Sequence, residues 1–182
     1  MNLRNAVLIL AICAVAAATC ARAPSSSGQR LKAGEIAPAF VLPTLEGDQE
    51  VNLLRTFQEN TATAVVVWSM SCPTCREALV ECERVYRLYE GKAVKFVGIN
   101  YDTENLVGVR AFIKAEDITF PNAWDARKRV ARAYRAADYT FSIFVVDRDR
   151  NLKWVQYDHP PDLGAVLVKT IDKMRAEEVE GR

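Results

Sequence analysis

The chain has 182 residues, with 24 lysines and arginines against 23 aspartates and glutamates. That length suits one domain plus a small extra segment, and half of the residues are hydrophobic, enough for a real core. The near-neutral balance gives no basis for nucleic acid or a strongly anionic surface as partner.

The first residues stand apart from the rest. Met1-Asn2-Leu3-Arg4-Asn5 carries one positive charge and precedes an apolar run from Ala6 to Ala18. The run is short of the roughly 20 residues that span a bilayer. A basic start, a short apolar run and small residues after it read as a secretory signal. Ala17-Ala18-Thr19-Cys20 resembles a bacterial lipobox, in which Cys20 becomes the lipidated first residue. Ordinary cleavage after Ala21 or Ala23 is the rival. The layout is then a signal segment 1–20, a tether 21–32 containing Pro24-Ser25-Ser26-Ser27-Gly28-Gln29, a domain 33–178 and a tail 179–182. This predicts a bacterial cell-envelope protein on the periplasmic side, held at the membrane by a lipid on Cys20.

Of five cysteines, Cys13 leaves with the signal, and Cys72, Cys75 and Cys82 remain in the domain. An exported domain meets an oxidising compartment, where disulfides persist. Three is odd, so bridging the close pair leaves one thiol over.

Within the domain, two short extended segments flank the turn signal Glu46-Gly47-Asp48 and predict a β-hairpin across residues 33–60. Thr63 to Trp68 is nearly all apolar and β-branched, the pattern of a strand buried on both faces. Pro73 suits a first helical turn, and Leu79, Cys82, Val85, Tyr86 and Tyr89 then recur at helical spacing up to Gly91. Ala93–Ile99 reads as a second buried strand and Glu104–Ala115 as a helix. Phe120–Trp124 is a short extended piece, and Asp125 is placed to cap a basic helix over Ala126–Ala136. Arg127, Lys128, Arg129, Arg132 and Arg135 on that helix are expected on a solvated face. Phe141–Val146 and Leu152–Tyr157 predict antiparallel strands around a charged turn. Pro160-Pro161 opens a last amphipathic helix with Leu163, Val166, Leu167, Thr170, Ile171 and Met174 on one side. The order is that of an α/β sandwich, a central mixed sheet flanked by helices with an N-terminal hairpin extension.

The chemistry sits in VVVWSMSCPTCRE, residues 65–77. A CxxC at a helix start after a buried strand places Cys72 near unpaired N–H groups and the positive end of the helix dipole. Both favour thiolate, which makes Cys72 the nucleophile. Cys75, one turn further in, is the resolving thiol that attacks a mixed disulfide on Cys72. Cys82, at an apolar position, reads as a buried thiol.

Trp68-Ser69-Met70-Ser71-Cys72-Pro73-Thr74-Cys75 resembles the W-x-x-x-C-x-x-C active site of thioredoxin-like proteins. Gly34 to Leu42 is similar to the G-x-x-A-P-x-F-x-L opening of the TlpA/ResA and peroxiredoxin branch, and Phe144-Val145-Val146-Asp147 to its F-L-I-D strand. The resemblance covers residues 33–175. It implies an exported thiol–disulfide oxidoreductase of the thioredoxin fold, with a protein thiol or disulfide as substrate and an upstream electron donor. It also implies an active-site environment of Trp68, Ser71, Pro73, Thr74, Tyr139, Thr140 and Phe141, and no cofactor beyond the redox-active pair.

Three departures go with it. Phe141 occupies the position of the family's cis-proline, and a non-proline residue prefers the trans peptide by about 2.5–4 kcal/mol. Ala78 stands where TlpA-like proteins often carry Glu, with Glu77 one place early. Val66 replaces thioredoxin's buried Asp. No proton relay for Cys75 is visible, which points to slow or specialised exchange.

Three other readings compete. Sco-type copper chaperones are thioredoxin-like and hold copper with two cysteines and a distant His. Their spacing is CxxxC, and Tyr139 falls where their His would be. Two thiolates here would still suit Cu(I). His159, the single histidine, reads as a solvated loop residue rather than a ligand. Peroxide reduction needs a Thr-x-x-Cys pocket that Ser69-Met70-Ser71-Cys72 only weakly matches. A non-catalytic binding domain with a structural disulfide is the third, although so small a ring gains little chain-entropy stabilisation. Pro121 and the Tyr139–Phe141 loop are candidates to line a groove near the sulfurs.

Overall fold

The computed structural model describes residues 29–136 and 141–181. The signal segment, Cys20, Tyr139 and Thr140 lie outside the described residues.

The chain opens with a two-stranded antiparallel sheet, β1 (Val41–Pro43) and β2 (Glu50–Asn52). Its turn is the expected one. Gly47 adopts φ +81°, a left-handed value open to glycine without a Cβ clash, and donates its N–H to the Thr44 carbonyl at 3.0 Å. A helix, α1 (Leu53–Glu59), follows directly. Sequence reading did not anticipate it. Asn52 ends the strand and also caps the helix, its side chain accepting from Arg55 N–H at 3.1 Å.

The main sheet has five strands in the order β5-β4-β3-β6-β7. These are β3 (Ala62–Trp68), β4 (Val94–Asn100), β5 (Asn122–Trp124), β6 (Ser142–Val146) and β7 (Leu152–Tyr157). β3, β4 and β5 run parallel, while β6 and β7 pair antiparallel on the other side. Every residue of β3 is buried, as its unbroken apolar run requires. Successive side chains point to opposite faces. Ala62, Ala64, Val66 and Trp68 therefore pack in one cluster with α2 (Pro73–Leu88) and α5 (Leu163–Glu180). Val65 and Val67 pack in the other, with Phe57 of α1 and with Val130 and Tyr134. Burying a Val, Leu or Phe side chain contributes about 1.5–3 kcal/mol each, so β3 anchors both layers.

The remaining helices are α3 (Leu106–Ala115) and α4 (Arg129–Ala133). The basic helix is much shorter than expected. Lys128 takes a left-handed φ of +52°, so no helix runs through it. Asp125 does cap, but at longer reach, accepting from Arg129 and Ala131 N–H at 2.9 Å each. The basic face is only partly solvated. Lys128 sits over the Tyr101 ring at 5.3 Å, and Arg135 donates to the Gln29 carbonyl. Leu31 is buried, with its N–H on the Tyr157 hydroxyl at 2.9 Å. Among the described residues no helix is long and apolar enough to cross a membrane.

Candidate active site

β3 ends at Trp68 and the chain turns through Ser69–Ser71 into α2, so the two cysteines sit where a parallel strand delivers a helix N-terminus. Cys72 is the N-cap of α2 and Pro73 fills its first turn. Proline lacks an N–H that would be orphaned there, and its φ is preset for the helix. Cys72 and Cys75 form a disulfide, with Cα atoms 5.2 Å apart. The Cys75 N–H donates to Cys72 Sγ at 3.1 Å, and Thr74 Oγ1 lies 3.3 Å from the same sulfur. A bridged sulfur carries no proton, so Thr74 is the donor. Both donors aim at Cys72 and neither at Cys75, and the helix dipole adds to them. On reduction, negative charge on Cys72 is favoured.

The sulfurs are well covered. Cys72 is 2% exposed and Cys75 fully buried. Ser71, Pro73 and Thr74 are exposed around them. Trp68 is fully buried, in one cluster with both cysteines and Phe141. Its Nε1–H donates to Asn122 Oδ1 at 3.0 Å, and its ring meets Phe112 at 6.0 Å. Trp68 thus belongs to the core and the site at once. Gly98 makes room for this pair, since a Cβ there would lie 1.9 Å from Asn122 Oδ1. Ala78 and Val66 are buried and apolar, and Glu77 is exposed. Neither of the family's buried carboxylate positions therefore carries a proton acceptor.

The carboxylate that does serve this turn is Asp102, which sequence reasoning missed. It lies just past the end of β4. Its side chain accepts from Ser69 Oγ at 2.6 Å, Met70 N–H at 2.7 Å and Asn100 Nδ2 at 2.8 Å. Its carbonyl accepts from Trp124 Nε1 at 2.9 Å. The signal was its place at the carboxyl end of the strand beside β3, where open α/β sheets gather their functional residues. Ser69, Met70, Ser71, Arg76, Asp102 and Lys128 help line a groove of about 470 Å³ beside the turn. Pro121 lies elsewhere, in a groove with Asn52 and Arg55, so it does not flank the sulfurs.

His159 is a second correction. It is not a solvated loop residue. Its side chain is 19% exposed, and Nε2 lies 3.0 Å from Glu81 Oε2. Its ring stands edge-on to Phe141, centroids 6.0 Å apart. The corner around it is held by side-chain packing that leaves no periodic trace in sequence.

Cys82 is the buried free thiol expected, and burial pushes its pKa strongly up, with Glu81 and Glu83 adding to the shift. Among the described residues no group of three or more His, Cys, Asp or Glu side chains is gathered as a metal site.

The sequence profile of the Redoxin family matches residues 32–170. The chain belongs to the Redoxin family. As a redoxin it is similar to the thiol-disulfide oxidoreductase ResA of Bacillus cereus, 24% identical over 176 residues, covering 96% of this chain and 90% of that one. It is also similar to the sporulation thiol-disulfide oxidoreductase A of Bacillus subtilis (strain 168), 26% identical over 61% of this chain and 66% of the relative. A thiol:disulfide interchange protein of the thioredoxin family from Chlorobium tepidum TLS superposes with a TM-score of 0.65 at 21% identity, over 80% of this chain and 99% of that one. The redoxin therefore has the thioredoxin-like fold, of the TlpA/ResA type.

Proposed function

We propose that this redoxin is an exported thiol–disulfide oxidoreductase that exchanges the Cys72–Cys75 bridge with thiols of partner proteins. The observation that carries the reading is the one-sided cap. The Cys75 N–H and the Thr74 hydroxyl both aim at Cys72 Sγ. In the reducing direction, the Cys72 thiolate attacks a partner disulfide and forms a mixed disulfide, and one partner sulfur leaves as thiolate. Cys75 then attacks Cys72 Sγ, the bridge re-forms and the second partner sulfur leaves reduced. The opposite direction is the same sequence reversed. An upstream donor returns the two electrons to the Cys72–Cys75 pair. With Ala78 and Val66 in place of carboxylates, the Cys75 proton passes to solvent or partner, which favours a slow, partner-specific exchange.

Export is supported by the basic start and apolar run of residues 1–18, and Cys20 is the candidate lipid anchor on the periplasmic side. The names of the relatives support the activity.

The test is the reduction potential of the pair, by equilibration with thiol buffers and mass mapping of Cys72 and Cys75, in a Cys82→Ala background with copper excluded. A bridge that equilibrates between about −120 and −270 mV, the span of catalytic dithiols, supports the reading. A bridge below about −300 mV marks a structural disulfide and overturns it. Failure to form any bridge turns attention to Cu(I) titration.

A further inference from the structure

Phe141 is 1% exposed and shares a packed cluster with Cys72 and Cys75. Its carbonyl accepts the Asp158 N–H at 2.7 Å. Asp158 itself takes φ +73°, a left-handed value that L side chains adopt only at a cost. The His159 ring stands edge-on to Phe141 at 6.0 Å and 70°. Its Nε2 is held by Glu81 Oε2 at 3.0 Å, while Glu81 Oε1 accepts the Gly164 N–H at 2.7 Å in the first turn of α5. Gly164 permits that approach, because a Cβ there would lie 2.9 Å from the carboxylate oxygen. Glu81 lies on the same helix as the disulfide. Phe141, His159, Glu81 and Gly164 thus tie α2, the start of α5 and the start of β6 into one clasp, and Phe141 is the member that shares a packed cluster with the two cysteines.

We propose that His159 is a positioning residue: gripped by Glu81, it holds Phe141 in the cover over the Cys72–Cys75 bridge and sets how readily an incoming thiolate reaches Cys72. The inference rests on the reading of that bridge as a redox pair. Attack on a cysteine that is 2% exposed needs the cover to move, and the clasp resists that movement. With dithiothreitol as reductant, one reagent thiolate bonds to Cys72 Sγ, the S–S bond breaks, and Cys75 leaves with the electron pair and takes a proton from water. The second reagent thiol, deprotonated, displaces Cys72, and the reagent ends as its cyclic disulfide.

The experiment is the rate of bridge reduction by dithiothreitol in the full-length chain, quenched by alkylation and read by peptide mass at Cys72 and Cys75. His159→Ala is expected to speed reduction about two- to tenfold, the range an aromatic edge contact supplies. Glu81→Ala is expected to do the same, and the double variant to be no faster than the faster single, because both remove one coupled device. Alkylation of buried Cys82 reports global loosening and is expected to stay absent. Wild-type rates in His159→Ala, additive effects in the double variant, or acceleration accompanied by Cys82 alkylation each overturn the clasp. A bridge that dithiothreitol reduces in no variant overturns the redox reading and the clasp with it.

Discussion

Cys72 and Cys82 lie on the same helix, ten residues apart, in the same packed cluster, and both are buried. Their chemistry is opposite. Cys72 is the N-cap and receives two donors on its sulfur. Cys82 sits mid-helix, where its neighbours' N–H groups are already spent on the backbone, and it is flanked in sequence by Glu81 and Glu83, which raise its pKa further. Burial alone therefore does not decide whether a thiol reacts. What decides is which polar groups remain unpaired around it, and a helix leaves those only at its ends.

The sharpest way to break this comparison is to exchange the roles of the cysteines. Cys75→Ser is expected to abolish turnover and to trap partner proteins on Cys72 as mixed disulfides, visible on non-reducing gels. Cys72→Ser is expected to abolish turnover and trap nothing. Trapping through Cys82 in either variant would end the distinction.

Glu83, also on α2, should matter for stability and not for redox chemistry. It is buried and accepts from Thr119 N–H at 2.8 Å, Thr119 Oγ1 at 2.7 Å and Arg87 Nε at 2.8 Å. Glu83→Ala is expected to cost about 2–4 kcal/mol in urea unfolding, from the lost charge-assisted bonds and the orphaned Thr119 N–H. The reduction potential of the bridge is expected to stay at its wild-type value. At the other end of the comparison, Asp102→Asn puts an amide where Ser69, Met70 and Asn100 all donate. It is expected to cost about 1.5–3 kcal/mol and, unlike Glu83→Ala, to change the rate of bridge reduction, because the lost bonds hold the redox turn itself.

These two carboxylates also show what sequence could and could not reveal. β3, β4 and α2 were legible because apolar runs and helical spacing follow directly from burial on two faces or one. The cysteine pair was legible because its chemistry depends on local spacing. α1 was not, since Asn52 has to be both the last strand residue and the cap. The basic stretch over-read as a long helix because charge pattern says nothing of the left-handed turn at Lys128. Asp102, Glu83 and the Glu81–His159 pair gain their roles from residues 32 to 78 positions away. Nothing in the spacing of one chain segment encodes a partner that the fold brings in from another.

The smallest effect tests the buried thiol by pH. Cys82 has its pKa raised far above the ordinary 9.0, chiefly by burial. Well below 9.0 the thiol is protonated in both folded and unfolded chains and contributes no slope. Above 9.0 the unfolded chain loses this proton and the folded one keeps it, so the unfolded state is favoured as pH rises. The expected slope approaches about 1.4 kcal/mol per pH unit by pH 10. Tyr134, also raised by burial, joins only above its ordinary 10.0. Urea unfolding at pH 8, 9 and 10 should therefore slope downward in the wild type above 9, while Cys82→Ala stays flatter until the tyrosine range. The comparison is between slopes, so the cavity left by the substitution shifts the whole line and leaves the test intact. Equal slopes would mean that Cys82 ionises as easily folded as unfolded, and the contrast with Cys72 would then rest on access alone.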